Sequence, residues 1–404
     1  MNVPPHVRSN GAQDDAQSAV RNGAQNGVRD GVAGAAHIRV IAPGELSEAD
    51  AEVWRALRAR SGTPANPFME PEFTRAVGRV RPSARVAVLR ADDGVDGADG
   101  AHGSGPAGFF PYEKGPLGHG RAIGFGVSDT QGAVLRPGLE LPTAALLRAC
   151  SLAAWDFDNL EAGQELFVPD AAAEFESPVI ELGEGYEAYE TGLRERSPKF
   201  YRTTTAKERK LGRREGEVRF VLDERDPAAL RTLMAWKSAQ YRRTGRRDRF
   251  AQEWISDLVR QLAHTRAPGC SGLLSVLYVA GRPVAAHFGL RSRTVLSCWF
   301  PAYDPEFAKF SPGLILHLRM AEAAAREGIT MLDLGRGSAE YKDALKTGSL
   351  RVYEGSSVRP GARAALSWLA REPARRAHGF VRDRPRLAGY AQRALRQVGR
   401  LRDR

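Results

Sequence analysis

The chain has 404 residues, 42% of them hydrophobic and 26% charged, with 42 glycines and 24 prolines, a globular composition with room for more than one core. No stretch approaches the roughly eighteen uninterrupted apolar residues of a membrane-spanning helix, and three well-separated cysteines (Cys150, Cys270, Cys298) argue against a disulfide scaffold or a cysteine-rich zinc site. The net charge of +11 sits mostly at one end, because residues 356–404 carry thirteen arginines against three acids; the rest is close to neutral and need not bind a polyanion.

Residues 1–36 are rich in Gly, Ala, Asn, Gln and Asp, and Asn10-Gly11-Ala12-Gln13 recurs as Asn22-Gly23-Ala24-Gln25. Little there can be buried, which predicts a disordered arm. The arm lacks a basic start followed by an apolar stretch, so no secretory signal is expected, and with reduced cysteines the location expected is cytoplasmic. A strand is predicted over 37–41, helices over 46–60 and 71–80, and a strand over 85–89. The Gly/Asp-rich loop 91–106 then leads to a return strand over 107–112, making a hairpin. A helix over 142–155 and a strand over 157–160 follow.

The second block repeats this order. A strand over 217–222 precedes Asp226-Pro227, a helix cap with proline in the first turn. The helix it opens carries Leu230, Leu233, Met234 and Tyr241 on one face, and a further helix is marked by Phe250, Trp254, Leu258 and Leu262 at four-residue spacing. Runs over 274–279, 284–290 and 294–300, separated by tight turns, predict an antiparallel meander. Then come a helix over 312–327 stopped by Gly328, a strand over 329–334, a short helix over 339–346 and a strand over 350–353. Both halves read strand, helix, helix, hairpin or meander, helix, strand. The expected class is therefore α/β (α+β) with mixed sheets and an internal duplication.

The chain around the late helix is the most informative part. Tyr303-Asp304, Ser311-Pro312-Gly313, Gly328, Asp333, and Gly337 with Tyr341-Lys342 occur in order. This set resembles the CelD-like (BioF-like) acetyltransferase domain of the GNAT superfamily, found in bacterial polysaccharide loci and related to the Fem-type peptidyl transferases. The likeness covers residues 195–355, and the first half only by layout. It implies tandem GNAT-like domains, a degenerate N-terminal one (37–176) and an acyltransferase one (177–355), set between the arm expected to be disordered (1–36) and a tail that charge and apolar spacing read as basic and helical (356–404). It also implies acetyl-CoA or another acyl-CoA as co-substrate and no metal. The acceptor implied is a small molecule, an amine or hydroxyl on a sugar or on a cell-envelope, exopolysaccharide or peptidoglycan precursor. One departure is plain: the usual pyrophosphate loop, Gln/Arg-x-x-Gly-x-Gly/Ala, is not matched by Lys309-Phe310-Ser311-Pro312-Gly313-Leu314.

On its own terms that segment suits an anion. Ser311 is a good N-cap, Pro312 fits the first turn, and Gly313 and Leu314 would present bare amides at a positive dipole end. An ordinary capped helix is the plainer alternative. Lys309, Ser311, Gly313 and Leu314 are thus the candidate donor-binding set. For chemistry, acyl transfer needs a base, an acid and an oxyanion donor. Asp333, inside a short strand, is a candidate base, or simply pairs with Arg336 or Lys342. Tyr341 is a candidate acid for a departing thiolate. Lys342 is a candidate for neutralising a phosphate or oxyanion, or is a solvated helix lysine. His287, between the small residues Ala285 and Gly289, has room for a ligand beside it, or is a structural histidine. Backbone near 297–299 would supply the oxyanion N–H.

Basic runs at 194–219 and at Arg242, Arg243, Arg246, Arg247 and Arg249 would steer a phosphate-rich donor or a tRNA, or are solvated faces. They favour a second enzyme reading, Fem-like transfer from aminoacyl-tRNA. The non-enzyme reading is a GNAT-fold interaction module at an anionic inner-membrane surface. There, Leu387, Tyr390, Leu395, Val398 and Leu401 would form the apolar face of an arginine-flanked tail helix. The stretch from Met331 to Gly337 also resembles the glycine motif of S-adenosylmethionine methyltransferases. Too little chain follows it for the doubly wound sheet that motif opens.

Overall fold

Val86–Leu89, Phe109–Tyr112 and Val276–Val279 are apolar on both faces and too short for ordinary helices, the mark of strands covered from both sides. In the computed structural model, which describes residues 37–90 and 105–359, they lie in one mixed sheet of thirteen strands. The strands are β1 (His37–Ile41), β2 (Ala84–Arg90), β3 (Gly108–Lys114), β4 (His119–Ala122), β5 (Val134–Leu135), β6 (Ala154–Glu161), β7 (Ala171–Glu181), β8 (Val218–Val221), β9 (Ser271–Val279), β10 (Arg282–Arg291), β11 (Val295–Tyr303), β12 (Met331–Asp333) and β13 (Gly348–Val358). The helices are α1 (Glu48–Ala59), α2 (Pro71–Val80), α3 (Thr143–Ala149), α4 (Tyr186–Arg196), α5 (Pro198–Glu215), α6 (Pro227–Thr244), α7 (Glu253–His264), α8 (Pro312–Arg326) and α9 (Glu340–Leu345).

The strand order β1-β2-β3-β4-β6-β13-β7-β12-β11-β10-β9-β8 contains the same arrangement twice, read from the two edges inward. From each edge, four antiparallel strands are followed by one parallel step, β4 to β6 and β11 to β12. Each half is closed by an antiparallel strand from the other part of the chain. β13 pairs with β6, β7 pairs with β12, and β7 and β13 pair with each other at the centre. The duplication expected from the sequence is therefore present, as tandem GNAT-like halves with crossed closing strands.

Several expected boundaries move. The division at 176/177 falls inside β7, and a tail starting at Ser356 would begin inside β13. The predicted helix over 142–155 stops at Ala149, because Ser151 takes a left-handed conformation (φ 55°) that cannot continue a helix, and Ala154 already begins β6. Phe250 precedes α7 rather than riding on it, and packs against Phe300 with ring centroids 5.0 Å apart. β7, α4 and α5 had no prediction as elements. The arm 1–36, most of the 91–106 loop and the tail from 360 onward lie outside the described residues, as does the membrane-binding face read in that tail. Among the described residues no helix is long and apolar enough to cross a membrane.

Apolar side chains from both halves share one core, which packs Phe68 and Phe73 of the first half against Trp299 of the second. One charged pair is buried in the first half. Arg58 on α1 donates to both carboxylate oxygens of Glu161 (3.0 and 3.3 Å), their side chains 4% and 9% exposed. Arg58→Met strands that carboxylate and is expected to cost about 3–5 kcal/mol, whereas Arg58→Met with Glu161→Leu should recover much of the loss. Urea unfolding midpoints of the three proteins check this.

Candidate active site

β11 and β12 run side by side for three pairs, Val295–Met331, Leu296–Leu332 and Ser297–Asp333, and then part. Past Asp333 the chain leans toward β7 instead, with the Leu334 amide donating to the Pro178 carbonyl (2.9 Å) and the Gly337 amide to that of Glu176 (3.2 Å). The gap becomes a crevice of about 900 Å3. The end of β11 walls one side (Cys298, Trp299, Pro301), and the loop 334–339 walls the other. The start of α8 and the end of α6 complete it.

Five of the sequence-predicted residues come together here: Ser311, Gly313, Leu314, Tyr341 and Lys342 all line the crevice. The helix start differs from the expected cap. Ser311 is left-handed (φ 52°, ψ 52°) and makes no side-chain cap; its Oγ instead accepts from Lys207 Nζ of α5 at 2.8 Å. The Leu314 amide is not bare, because it donates to the Ser311 carbonyl at 3.0 Å. Gly313 keeps the one first-turn amide without an acceptor among the described residues. Lys309 is turned away: it is exposed, pairs with Glu215 at 3.3 Å and does not line the crevice.

Asp333 is not on the crevice wall. It is 2% exposed and accepts from Ser177 Oγ (2.5 Å), the Gly335 amide (3.0 Å) and Asn66 Nδ2 (3.4 Å). These, rather than Arg336 or Lys342, are its hydrogen-bond partners; burial pushes its carboxyl above the ordinary range against their effect. Arg336 is occupied elsewhere, donating to the Asp158 carbonyl and pairing with Glu354 at 2.7 Å. Lys342 Nζ donates to the carbonyls of Gly335 (2.8 Å) and Arg336 (3.3 Å), and so tethers the loop rather than standing free.

His287 is fully buried, and the room expected beside it is filled. A Cβ added at Gly289 would lie 2.7 Å from its Cε1 and 2.4 Å from the Ser297 carbonyl. Its Nε2 accepts the amide of Trp299 at 3.2 Å. That amide belongs to the extra residue of a β-bulge, since Phe288 faces Phe300 while Gly289 faces Cys298. The bulge therefore spends the Trp299 N–H on a side chain, removing one of the expected oxyanion donors. Burial, His317 and Lys237 lower the imidazole to about 3, so it stays neutral and able to accept.

Three lining residues escaped the sequence reading. His317, on α8, donates from Nδ1 to the Gly313 carbonyl (2.6 Å), lies 5.3 Å from the Tyr341 ring between centroids, and is kept neutral chiefly by burial. Lys237, on α6, donates to the Pro301 carbonyl at 2.9 Å. Asp129 comes from the first half and is the single acidic side chain among the described lining residues; its Oδ2 lies 3.4 Å from where a Cβ on Gly335 would stand. Burial first, and then Asp333, push its carboxyl up to about 7, with Arg249 and Lys342 opposing. Tyr341 is driven up to about 12, mainly by burial, so its hydroxyl keeps its proton. Arg246, Arg247 and Arg249 complete a cationic rim.

The Asp129 shift has a sign that can be tested. A carboxyl harder to ionise folded than unfolded destabilises the fold above its unfolded value near 3.8, and the penalty reaches its full size above about 7. Asp129→Asn should therefore raise the melting temperature at pH 8, with the gain vanishing toward pH 4; paired thermal melts across that range check it.

Residues 198–343 match the family model for the acetyltransferase (GNAT) domain. No curated relative matches the chain. Among solved structures, FemX is 11% identical, with 82% of this chain and 99% of that chain covered and a TM-score of 0.53. A tandem GNAT protein from the clavulanic acid biosynthesis pathway is 11% identical (81% and 99% covered, TM-score 0.44). The C-terminal domain of a putative lysylphosphatidylglycerol synthetase from Agrobacterium fabrum is 14% identical (79% and 95%, TM-score 0.46). Residues 198–343 thus carry a GNAT-type acetyltransferase domain, and the likeness to FemX shows the same fold over most of the chain.

Proposed function

We propose that the chain moves an acyl group from acyl-CoA to an amine or hydroxyl of a sugar or cell-envelope precursor. The observation that carries this is the composition of the crevice. It joins an open amide at the start of α8 and a cationic rim to one carboxylate able to change protonation near neutral pH. The Gly313 amide, with Arg246, Arg247 and Arg249, suits a polyphosphate carrier. The parted strands leave a slot for the thioester arm. The likeness of the second half to CelD-like domains supports the choice of acceptor.

In this reading Asp129, rather than Asp333, is the general base. It takes the proton of the acceptor as nitrogen or oxygen attacks the thioester carbon. Tyr341 donates to the sulfur as the carbon–sulfur bond breaks. Asp333 and Lys342 act one step back, the first by fixing the Gly335 amide and the second by holding the Gly335 and Arg336 carbonyls.

Asp129→Asn is expected to cut kcat by about 10²–10⁴-fold with little change in KM for the acyl donor. The acidic limb of the wild-type kcat/KM profile, with its apparent pKa near 7, should disappear as well. Thiol release followed between pH 5.5 and 9 measures both; a wild-type rate in the variant removes Asp129 from the chemistry. The donor is decided by thermal shift with acetyl-CoA, longer acyl-CoAs and RNA, since a specific ligand raises the melting temperature by mass action. A rise with acyl-CoA is the expected result. A rise with RNA alone transfers the donor role to an aminoacyl-tRNA, the reading that the basic α5 and the arginine rim favour.

A further inference from the structure

We infer that Lys237 is itself an acyl acceptor, a self-acylation site built into the wall of the donor crevice. The inference rests on the thioester-donor reading above. Lys237 lines the same crevice as Ser311, Gly313 and Tyr341, and its amine is anchored at 2.9 Å to the carbonyl of Pro301, on the strand that borders the thioester slot. The anchor leaves the nitrogen lone pair free whenever the amine is unprotonated, because the ammonium group is a donor only. The Tyr241 ring, its centroid 5.3 Å from Nζ, favours the charged form. The neighbouring His287 and His317 stay neutral, and Asp129 lines the same crevice. Burial first, and then the cations Arg246, Arg249 and Lys342, hold the amine down at about 8. Near pH 7 roughly a tenth of such an amine is unprotonated, far more than for a solvated lysine.

The step balances without a further reagent. The neutral amine adds to the thioester carbonyl, the carbon–nitrogen bond forms as the carbon–sulfur bond breaks, and the departing thiolate takes the proton lost by nitrogen. The products are an ε-N-acyl-lysine and free thiol. An amide does not pass its acyl group on, so the modification ends with the crevice partly filled and one positive charge fewer beside the carrier site.

The test is to incubate the full chain with acetyl-CoA and no acceptor at pH 6.5, 7.5 and 8.5, then to read intact mass and map modified peptides. One acetyl group on Lys237 is expected, formed about tenfold faster per pH unit up to about 8 and levelling above it. Lys237→Arg, which keeps the charge, should stay unmodified while its melting temperature still rises with acetyl-CoA. Acetylation spread over other lysines, or no mass increment, overturns the proposal. A thermal shift on the same wild-type sample separates the two failures. A shift without modification removes only the self-acylation; no shift and no modification removes the acyl-CoA donor with it.

Discussion

The carboxylate of Asp333 collects three hydrogen bonds, two from distant parts of the chain, Ser177 on β7 and Asn66 after α1, and one from the amide of Gly335 two residues ahead. A buried carboxylate needs such donors, and here satisfying them turns the chain. The two-residue reach to Gly335 bends the backbone away from β11 as soon as the third register pair is made, and Gly335 accepts the bend at φ 77°. The parting of β11 from β12 is therefore the geometric result of one side chain's desolvation requirements. The crevice, the exposure of the 334–339 loop and the approach of Asp129 to Gly335 all depend on it.

The second constraint is the exchange of closing strands. β7 follows β6 in the chain yet pairs with β12, and β13 follows the second half yet pairs with β6. Asp333 is held by Ser177 on one exchanged strand, while Arg336 reaches Glu354 on the other. Asp129 enters from the loop before β5. The site is thus assembled from both halves, although residues 198–343 alone carry the family match. Its electrostatics follow from the same assembly. A carboxylate from the first half meets another from the second, and like charge with burial keeps Asp129 within reach of protonation at neutral pH, with Arg249 and Lys342 limiting the shift.

Elements defined by apolar period and turn chemistry were legible from the sequence. α2 ran over the predicted 71–80, the Asp226-Pro227 start capped α6 through the Ala228 amide, and the three-strand meander formed as read. α5 was not legible, because its period is polar; it buries little beyond Thr204 and Leu211 and is held by contacts such as Lys207 with Ser311. β7 was hidden for a related reason: its first half alternates exposed and half-buried residues that only β13 makes into a strand. At the site, the ordered set from Ser311 to Lys342 located the crevice wall, but polar residue type could not say which way a side chain turns. Lys309 found Glu215 outside, and Asp333 found donors inside. Asp129 left no local signal, since its place on the crevice wall comes from its approach to the Gly335 loop of the other half. His317 left one, a lone histidine on the largely apolar stretch of α8.

Trp299 connects these constraints. Its amide is the unpaired one of the β11 bulge and is satisfied by a histidine that burial keeps neutral; its indole Nε1 donates to the Val127 carbonyl at 2.7 Å. Val127 lies two residues before Asp129 in a segment that is itself pinned. Ser128 donates to the Ile123 carbonyl (2.9 Å), Asn159 to the Ser128 carbonyl (3.0 Å) and Gln131 to Ser128 Oγ (2.9 Å). One residue thus fixes both the strand that borders the crevice and the loop that brings in the Asp129 carboxylate. A sub-ångström change in the bulge would move the two together rather than apart. The proposed transfer would need that arrangement, because such a rate depends on the separation of base, nucleophile and carbonyl more than on where the whole group sits.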